Sequence, residues 1–524
     1  MIERLFVNFR NFLWNYPVYI SKLYKRFSPL SFIITCIIIF SLLIFYLFSI
    51  KFFSLNILKS NTYRSGLVSE NMIYNPYNEN NKTLRNDINE LTFNTLVSVT
   101  PKNTIQGEIA KSWKILSNNT TFIFNLRKNV FFQNGVNVNA TDVVYSFNFK
   151  KTNFPSAVLS NITVKKLSNY QIEFNLNKID VTFFEDINFI IVPFSSNYLT
   201  NTKHIIGTGP YRLDYLTKRE AVFNRFSGYY KGKPHFKKFI LKIYKSDSKL
   251  TKALNNHKLD GAFFDYYPQS FNFKNSRNTF NIYSAHNIRD YIALFFNLKN
   301  VTDQNIRYAF EYDTPRKELI KNVISSFGTP WYSPISEYSW AYDTSSNIQR
   351  FHYNPVKAAK YLNANEISMN IYTLNTIPNR ILNFLKNKWS NVGINVKFIK
   401  ENESSIDLTI KSGKYKAILT EIKGSIDPNN FSLWYSKSIN NISNLNVSQI
   451  DRLLVVGETI YSIKNRKTIY DLFQSVLPQY TPAVFMYSPD YIYIANKNIK
   501  NINFTNITYS YYQFQNVYKW RLLY

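Results

Sequence analysis

Cysteine is nearly absent from the sequence, whose 524 residues include only Cys36. A single thiol excludes an intramolecular disulfide framework. Histidine is also rare, and the five His residues are scattered without the spacing that zinc or haem ligands show. The sequence therefore predicts neither a metal site nor a cofactor.

Acidic residues are also few, since 33 Asp and Glu stand against 63 Lys and Arg and leave a net charge of +30. A basic chain can bind nucleic acid or an anionic membrane surface, or the charge can serve solubility alone. No nucleic-acid-binding module accompanies the charge, and the densest basic run, Lys218–Lys245, is interleaved with strand-like residues. We interpret that run as a solvated face and expect no nucleic-acid partner.

Long apolar runs are missing with one exception, Leu30–Ile50, which contains 21 residues and no charge. A helix of that length spans a hydrocarbon core of about 30 Å. A cleaved signal peptide is the alternative, but the run is too long for one and no small-residue cleavage site follows it. We therefore expect an uncleaved anchor that contacts the lipid bilayer.

The charges beside this run predict the topology. Basic residues precede it, which favours a cytoplasmic N-terminus and export of everything after Lys51. These residues are Arg4, Arg10, Lys22, Lys25 and Arg26. The sequence thus predicts a cytoplasmic segment at 1–29, an anchor at 30–53 and a single-pass protein of the inner membrane. Its large domain would lie in the periplasm or otherwise outside the cytoplasmic membrane.

What is present in the exported part is an ordered series of turns, strands and helices. Asn134-Gly135 is a turn pair, and Asn139 with Asp142 three residues later predicts a capped helix start. Further on, the run Ile205–Pro234 opens with Gly-Thr-Gly-Pro, in which the two glycines and the proline predict a rigid bend into a strand. Each motif alone indicates only a local turn.

Taken in order, these motifs resemble a known family. IAKSW, TFIFNLRKNVFFQNGVNVNATDVVYSF, IVPF, GTGPY and YYKGKP follow one another in the sequence. This succession looks like the extracytoplasmic solute-binding proteins of peptide-type ABC importers (family 5), which include oligopeptide, dipeptide and nickel binders. The resemblance covers about Met72–Lys497 and is far more specific than any single motif.

The resemblance implies an α/β fold, the two-lobed periplasmic binding protein of the type II, large peptide-binding variety, here with an N-terminal transmembrane helix. The first lobe would comprise 58–290, with a family-specific extra subdomain at about 84–190. The second lobe would comprise 291–485, and 486–524 would return to the first lobe.

The resemblance also implies a function without catalysis. The chain would be the substrate-binding component of an ABC importer, which captures a short peptide or similar solute between its lobes and delivers it to membrane permease subunits. A binding protein for another solute, such as a nickel chelate, is the alternative within the same family.

Peptide binders of this family commonly place an Asp of a second-lobe loop against the ammonium group of the ligand. The corresponding stretch is Glu421–Phe431, in which Asp427-Pro428 and Phe431 match the end of the family motif. Gly424 stands where the ammonium-binding Asp is expected, so free-amino-terminus recognition is in doubt. Glu421 or Asp427 would have to substitute, although a carboxylate before proline is also a common turn residue.

Further candidate cleft residues are Tyr266, Tyr267, Arg289, Tyr291 and Trp331. Arg289 has the planar guanidinium that pairs with a carboxylate through two hydrogen bonds. An exposed charge beside a strand is an equally good interpretation of Arg289. The aromatic residues would serve as core residues equally well.

An enzyme is the alternative from another class. Ser246–Lys249 fits the Ser-x-x-Lys of penicillin-recognising serine enzymes, and Lys411–Gly413 resembles their Lys-Thr-Gly. No Ser-Asp-Asn lies between the two matches, and short matches arise by chance in a chain rich in Ser and Lys. We therefore expect a binding protein and not an acyl-enzyme.

Overall fold

The structure is a computed structural model of the chain. It describes residues 38–43, 46, 61–69, 74–77, 82–100, 104–116, 119–194, 205–268, 270–271, 276, 278–345, 351–425, 427–504 and 510–523. The chain divides into two compact units, Met1–Thr62 and Tyr63–Tyr524.

Little of the first unit falls in the described ranges, where residues 38–43 and 46 are helical. No helix in those ranges has the length and apolar character needed to cross a membrane. Most of the predicted transmembrane segment Leu30–Ile50 lies outside the described residues.

The strands, in chain order, are β1 (Thr62–Val68), β2 (Val97–Val99), β3 (Ile105–Gly107), β4 (Ala110–Leu116), β5 (Thr121–Leu126), β6 (Ile162–Ser168), β7 (Gln171–Leu176), β8 (Tyr211–Leu216), β9 (Glu220–Arg225), β10 (Lys238–Tyr244), β11 (Gly261–Phe264), β12 (Phe280–Ala285), β13 (Tyr291–Phe296), β14 (Gly328–Pro330), β15 (Ile367–Leu374), β16 (Ile394–Glu401), β17 (Ala417–Ile422), β18 (Ala483–Pro489), β19 (Tyr491–Asn496), β20 (Ile499–Lys500) and β21 (Arg521–Leu522).

The α-helices are α1 (Lys82–Thr92), α2 (Ala140–Asn153), α3 (Ala157–Ser160), α4 (Phe183–Asp186), α5 (Asp247–Asn255), α6 (Gln304–Tyr312), α7 (Arg316–Val323), α8 (Pro355–Leu362), α9 (Asn379–Ser390), α10 (Glu403–Ser412), α11 (Phe431–Trp434), α12 (Ser448–Thr459) and α13 (Ile463–Val476). Short 3₁₀ turns occupy Leu477–Tyr480, Ser510–Phe514 and Val517–Lys519.

Two large sheets define two lobes. The first lobe carries a seven-stranded sheet in the order β12-β19-β11-β1-β10-β9-β8, and the second carries a six-stranded sheet in the order β14-β18-β13-β17-β15-β16. The chain passes from the first sheet to the second between β12 and β13 and returns between β18 and β19. The cleft between the lobes therefore lies beside these two crossings.

Burial explains the apolar character of the crossing strands. All six residues of β13 are buried in the second-lobe core, so both faces of the strand are covered, while its edges pair with β17 and β18. A strand covered on both faces needs a continuous apolar sequence and not an alternating one. The run YIALFF satisfies this requirement and anchors the core of the second lobe.

A four-stranded antiparallel sheet, in the order β4-β5-β7-β6, forms a subdomain of the first-lobe region. Strands β5 and β7 alternate between half-buried and buried residues, as a sheet with one covered face requires. The helix α2 begins at the predicted cap, where Asn139 accepts from the amide of Thr141 and Asp142 accepts from the amide of Asn139. These two hydrogen bonds provide partners for backbone amides that the start of a helix otherwise leaves unpaired.

The Gly-Thr-Gly-Pro bend joins this subdomain to the first lobe. The buried amide group of Gln133 donates to the carbonyl oxygens of Thr92, Gly209 and Tyr211 and accepts from the amide of Gly207. Both glycines lie against the backbone at the end of α1, where a Cβ on Gly207 would stand 1.9 Å from the carbonyl oxygen of Thr92. The bend therefore requires glycine for close backbone approach.

We expect Gly207→Ala to lower the free energy of unfolding by about 3 kcal/mol, because the clash is with backbone that cannot move aside. Gly457→Ala is the matched control, since its Cβ meets the Tyr470 ring at an ordinary 3.4 Å within a helix. Alanine at position 457 should leave the free energy of unfolding unchanged or raise it by about 0.5–1 kcal/mol. Urea unfolding of both variants tests the expectation, and equal effects would contradict it.

Candidate functional site

The loop between β17 and α11 encloses a cavity of about 200 Å³ beside the strand crossing. Four of the residues singled out in the sequence line this cavity: Arg289, Tyr291, Trp331 and Asp427. Tyr266, Tyr267, Glu421 and Phe431 are not in its lining. The structure thus brings half of the predicted residues together at one place.

Three residues of the cavity lining carry buried donors without partners in the part of the chain that the structure describes. The rings of Tyr291 and Trp331 stack with centroids 5.2 Å apart, and the two residues are 2% and 3% exposed. Neither Tyr291 Oη nor Trp331 Nε1, nor Nε1 of the neighbouring Trp340, has a hydrogen-bond partner among the described residues. These donors are available to an acceptor that enters the cavity.

Asp427 lies at the wall of the cavity, but its carboxylate is already paired. Arg466 of α13 donates to both oxygens, at 2.8 and 2.7 Å, and both side chains are almost fully buried. The same carboxylate accepts from the amide of Asn429. These contacts fix the shape of the loop, and they pair the Asp427 carboxylate with groups of the second lobe.

Gly424 is held by the segment that leads into β13. Arg289 donates to the carbonyl oxygen of Gly424 at 2.8 Å, and the Gly424 amide donates to Asp290 at 3.1 Å. A Cβ at Gly424 would stand 2.4 Å from the carbonyl oxygen of Arg289. The loop conformation therefore excludes any side chain at this position, including the Asp that the family places there.

Glu421 and the two tyrosines lie outside the cavity. Glu421 pairs with Lys423 at 2.5 Å, and burial raises the pKa of its carboxyl, which the charge of Lys423 opposes. Tyr266 packs against the second-lobe core. Tyr267 stacks on Phe327 with centroids 4.9 Å apart. Tyr266 and Tyr267 follow β11 in the chain, and Glu421 lies near the end of β17.

Phe431, the last of the predicted residues, begins α11 and stacks on Tyr435 with centroids 4.3 Å apart. It also packs against the second-lobe core. Its contacts secure the end of the loop.

One contact joins the loop to the opposite side of the cleft. Glu185, in helix α4 of the four-stranded subdomain, accepts from Ser425 Oγ at 2.7 Å and from the amide of Asp427 at 2.8 Å. Burial raises the pKa of Glu185, and these two hydrogen bonds oppose that shift. The sequence gives no sign of this contact, because its members lie 240 residues apart.

The two enzyme-like motifs are ends of helices. The Ser246 hydroxyl accepts from the amide of Lys249 and caps α5. Lys411 and Ser412 end α10, and Gly413 terminates that helix in the left-handed conformation with φ of 64°. Both matches have ordinary structural explanations, in different lobes.

We expect Asp427→Asn to lower the free energy of unfolding by about 3 kcal/mol, because it leaves the buried Arg466 without a counter-charge. Asp471→Asn, which breaks a partly exposed pair with Lys467 on the same helix, should cost less than about 1 kcal/mol. Urea unfolding compares the two. Adding Arg466→Met to Asp427→Asn should recover part of the loss, and equal small losses would contradict a structural role for Asp427.

Comparison with known proteins identifies the family. The family described as "Bacterial extracellular solute-binding proteins, family 5 Middle" matches residues 104–444. Heme-binding protein A of Haemophilus influenzae is 25% identical over 458 residues, which is 77% of this chain and 82% of that protein. The peptide transport periplasmic protein SapA of the same organism is 23% identical over 504 residues, 82% of this chain and 89% of SapA.

A solved structure has the same fold. NikZ from Campylobacter jejuni, in complex with Ni(L-His), has a TM-score of 0.73 at 23% identity, over 88% of this chain and 99% of NikZ. This likeness confirms the predicted two-lobed α/β periplasmic binding fold. The chain belongs to the bacterial extracellular solute-binding proteins, family 5, as its sequence motifs predict.

Proposed function

We propose that this chain captures a short peptide between its two lobes and presents it to permease subunits in the membrane. Its family makes it the substrate-binding component of an ABC importer, so the proposal concerns the solute and its contacts. The cavity beneath the loop carries the proposal, because its buried donors lack partners among the described residues. The carbonyl and carboxylate oxygens of a peptide are suitable acceptors for them.

In this proposal some of the predicted site residues contact the peptide and others hold the loop in place. Tyr291 and Trp331 donate to the peptide, and Arg289 supports them from the cavity wall. Asp427 and Phe431 hold the loop through Arg466 and Tyr435. The pairing of Asp427 with Arg466 within the second lobe supports this division.

In this proposal Tyr266, Tyr267 and Glu421 bound the cleft outside the cavity. The packing of Tyr266 on the second-lobe core supports it. We also propose the lobe division 58–290, 291–485 and 486–524 given above. The strand β18 extends to Pro489, which favours a return a few residues later than 486.

We expect a mixture of tri- to pentapeptides to raise the melting temperature of the purified full-length protein, with calorimetry giving the affinity. Trp331→Phe, which removes the indole donor and keeps the ring, should weaken binding about fivefold, the value of a hydrogen bond of about 1 kcal/mol. Trp434→Phe is the matched control, since Trp434 Nε1 is also buried without a partner but lies outside the cavity lining.

Parallel titrations with Ni(L-His) and with haem test the solutes named for the relatives. Binding of either compound without any peptide would overturn the peptide proposal. Equal loss in both Trp variants would show that the cavity is not the binding site.

We further propose that Leu30–Ile50 anchors the chain in the inner membrane, with 1–29 in the cytoplasm and the large domain outside. The uncharged run and the basic residues before it support this topology. Protease added to intact spheroplasts should digest the large domain, and protection of that domain would contradict the topology. Alkaline extraction is the second measurement, in which an anchored chain stays with the membrane pellet.

A further inference from the structure

A second cavity, of about 270 Å³, is lined by α1, by segments of the four-stranded subdomain and by residues near the C-terminus. All of its lining residues fall within 76–231 and 512–515, so none belongs to the second lobe. It also shares no lining residue with the cavity of Tyr291 and Trp331. The first lobe and its subdomain therefore form this cavity by themselves, outside the cleft between the lobes.

Glu90 of α1 brings a carboxylate to the lining of this first-lobe cavity. The carboxylate makes no hydrogen bond and no ion pair within the part of the chain that the structure describes. Burial raises the pKa of Glu90 to about 8, with Glu108 and Asp87 adding to the shift and Lys231 opposing it. Lys231 is itself paired with Glu108. Because an enclosed charge is costly without a partner, Glu90 favours a cation beside it.

An amide oxygen without a partner lines the same cavity. Asn188, two residues after α4, donates through Nδ2 to Tyr512 Oη at 3.1 Å. Its Oδ1 is buried and has no hydrogen-bond partner among the described residues. This observation depends on geometry alone and is independent of the charge of Glu90. The cavity thus offers two acceptors, a carboxylate and an amide oxygen, to a donor that enters it.

The other cations of the lining have partners. Arg85 donates to Asn86 Oδ1 through Nε at 3.1 Å and through Nη2 at 3.0 Å. Lys150 Nζ lies 5.5 Å from the centre of the Phe189 ring. Glu90 is therefore the charged group of this lining that a ligand can pair with, and a cationic ligand fits the cavity better than an anionic one.

Aromatic rings form much of the remaining wall. Those of Tyr77 and Phe154 stack with centroids 5.4 Å apart. Aromatic rings cover apolar carbon, and their faces attract cations. The occupant should therefore combine a cationic group with an apolar body. The aromatic residues of the lining are Tyr77, Phe93, Phe154, Phe189, Tyr229 and Phe514.

We propose that this first-lobe cavity binds a small organic cation, a primary amine with an apolar body. Glu90 pairs with its ammonium group, and Asn188 Oδ1 accepts a further hydrogen bond from it. An ammonium group has three donors and no acceptor, which matches a site made of acceptors. A volume of about 270 Å³ lies just below the usual range of about 300–1,000 Å³ for ligand pockets, so the amine is small.

The experiment compares benzylamine with benzyl alcohol, which has the same apolar body and no charge, by calorimetry on the full-length protein. The wild type should prefer benzylamine by about ten- to a hundredfold, the range for a charge-assisted hydrogen bond. Glu90→Gln should abolish this preference and leave the affinity for benzyl alcohol unchanged. Asn188→Leu should weaken benzylamine binding about fivefold, the value of one hydrogen bond.

Glu403→Gln is the matched control, because it removes the same charge from an exposed position at the start of α10 in the second lobe. This variant should bind both probes like the wild type. Thermal unfolding without ligand shows whether each variant is folded, and Asn188→Leu carries the test if Glu90→Gln is not. Failure of benzylamine to bind, equal affinity for the two probes, or an unchanged preference in Glu90→Gln would overturn the inference.

This inference does not rest on the peptide proposal, and a further titration keeps the two apart. Benzylamine should bind Trp331→Phe as it binds the wild type, because Trp331 lines the other cavity. If no peptide binds but the preference for benzylamine depends on Glu90, the amine site stands and the peptide proposal fails. If peptides bind and benzylamine binding is lost in Trp331→Phe but not in Glu90→Gln, the peptide proposal stands and the amine site fails.

Discussion

The backbone of Gly424 lies so close to the carbonyl group of Arg289 that no side chain fits between them, and the loop between β17 and α11 takes its shape from this contact. Arg289 and Asp290 each bind the Gly424 backbone, just before the strand β13 on which the second-lobe core is built. The loop is thus fixed to the strand crossing itself. A loop so attached is held in a fixed position on the second lobe.

The family and the two-lobed fold were predictable because many local signals agree along the chain. The Asn139 cap, the glycine bend at 207–210 and the apolar run of β13 each reflect a local requirement, namely helix initiation, close backbone approach and burial on both faces. Their order is a property of the whole fold, so together they identify it. Such agreement between local preference and global structure is the general mark of a foldable sequence.

The site was less predictable, because the role of each polar group depends on the residue that it contacts in the folded chain. Asp427 matches a family motif, yet Arg466, 39 residues away, takes its carboxylate. Glu421 is paired with a lysine two residues later. A sequence shows which residues have carboxylates but not which carboxylates remain unpaired after folding.

The contact of Glu185 with Ser425 and with the amide of Asp427 has a consequence for unloading. The contact joins the loop of the second lobe to the four-stranded subdomain. Separation of the lobes would therefore break both hydrogen bonds to Glu185 at once. It would remove the acceptor from Ser425 and Asp427, which both line the cavity. Opening of the cleft and loss of these two loop hydrogen bonds would then be coupled.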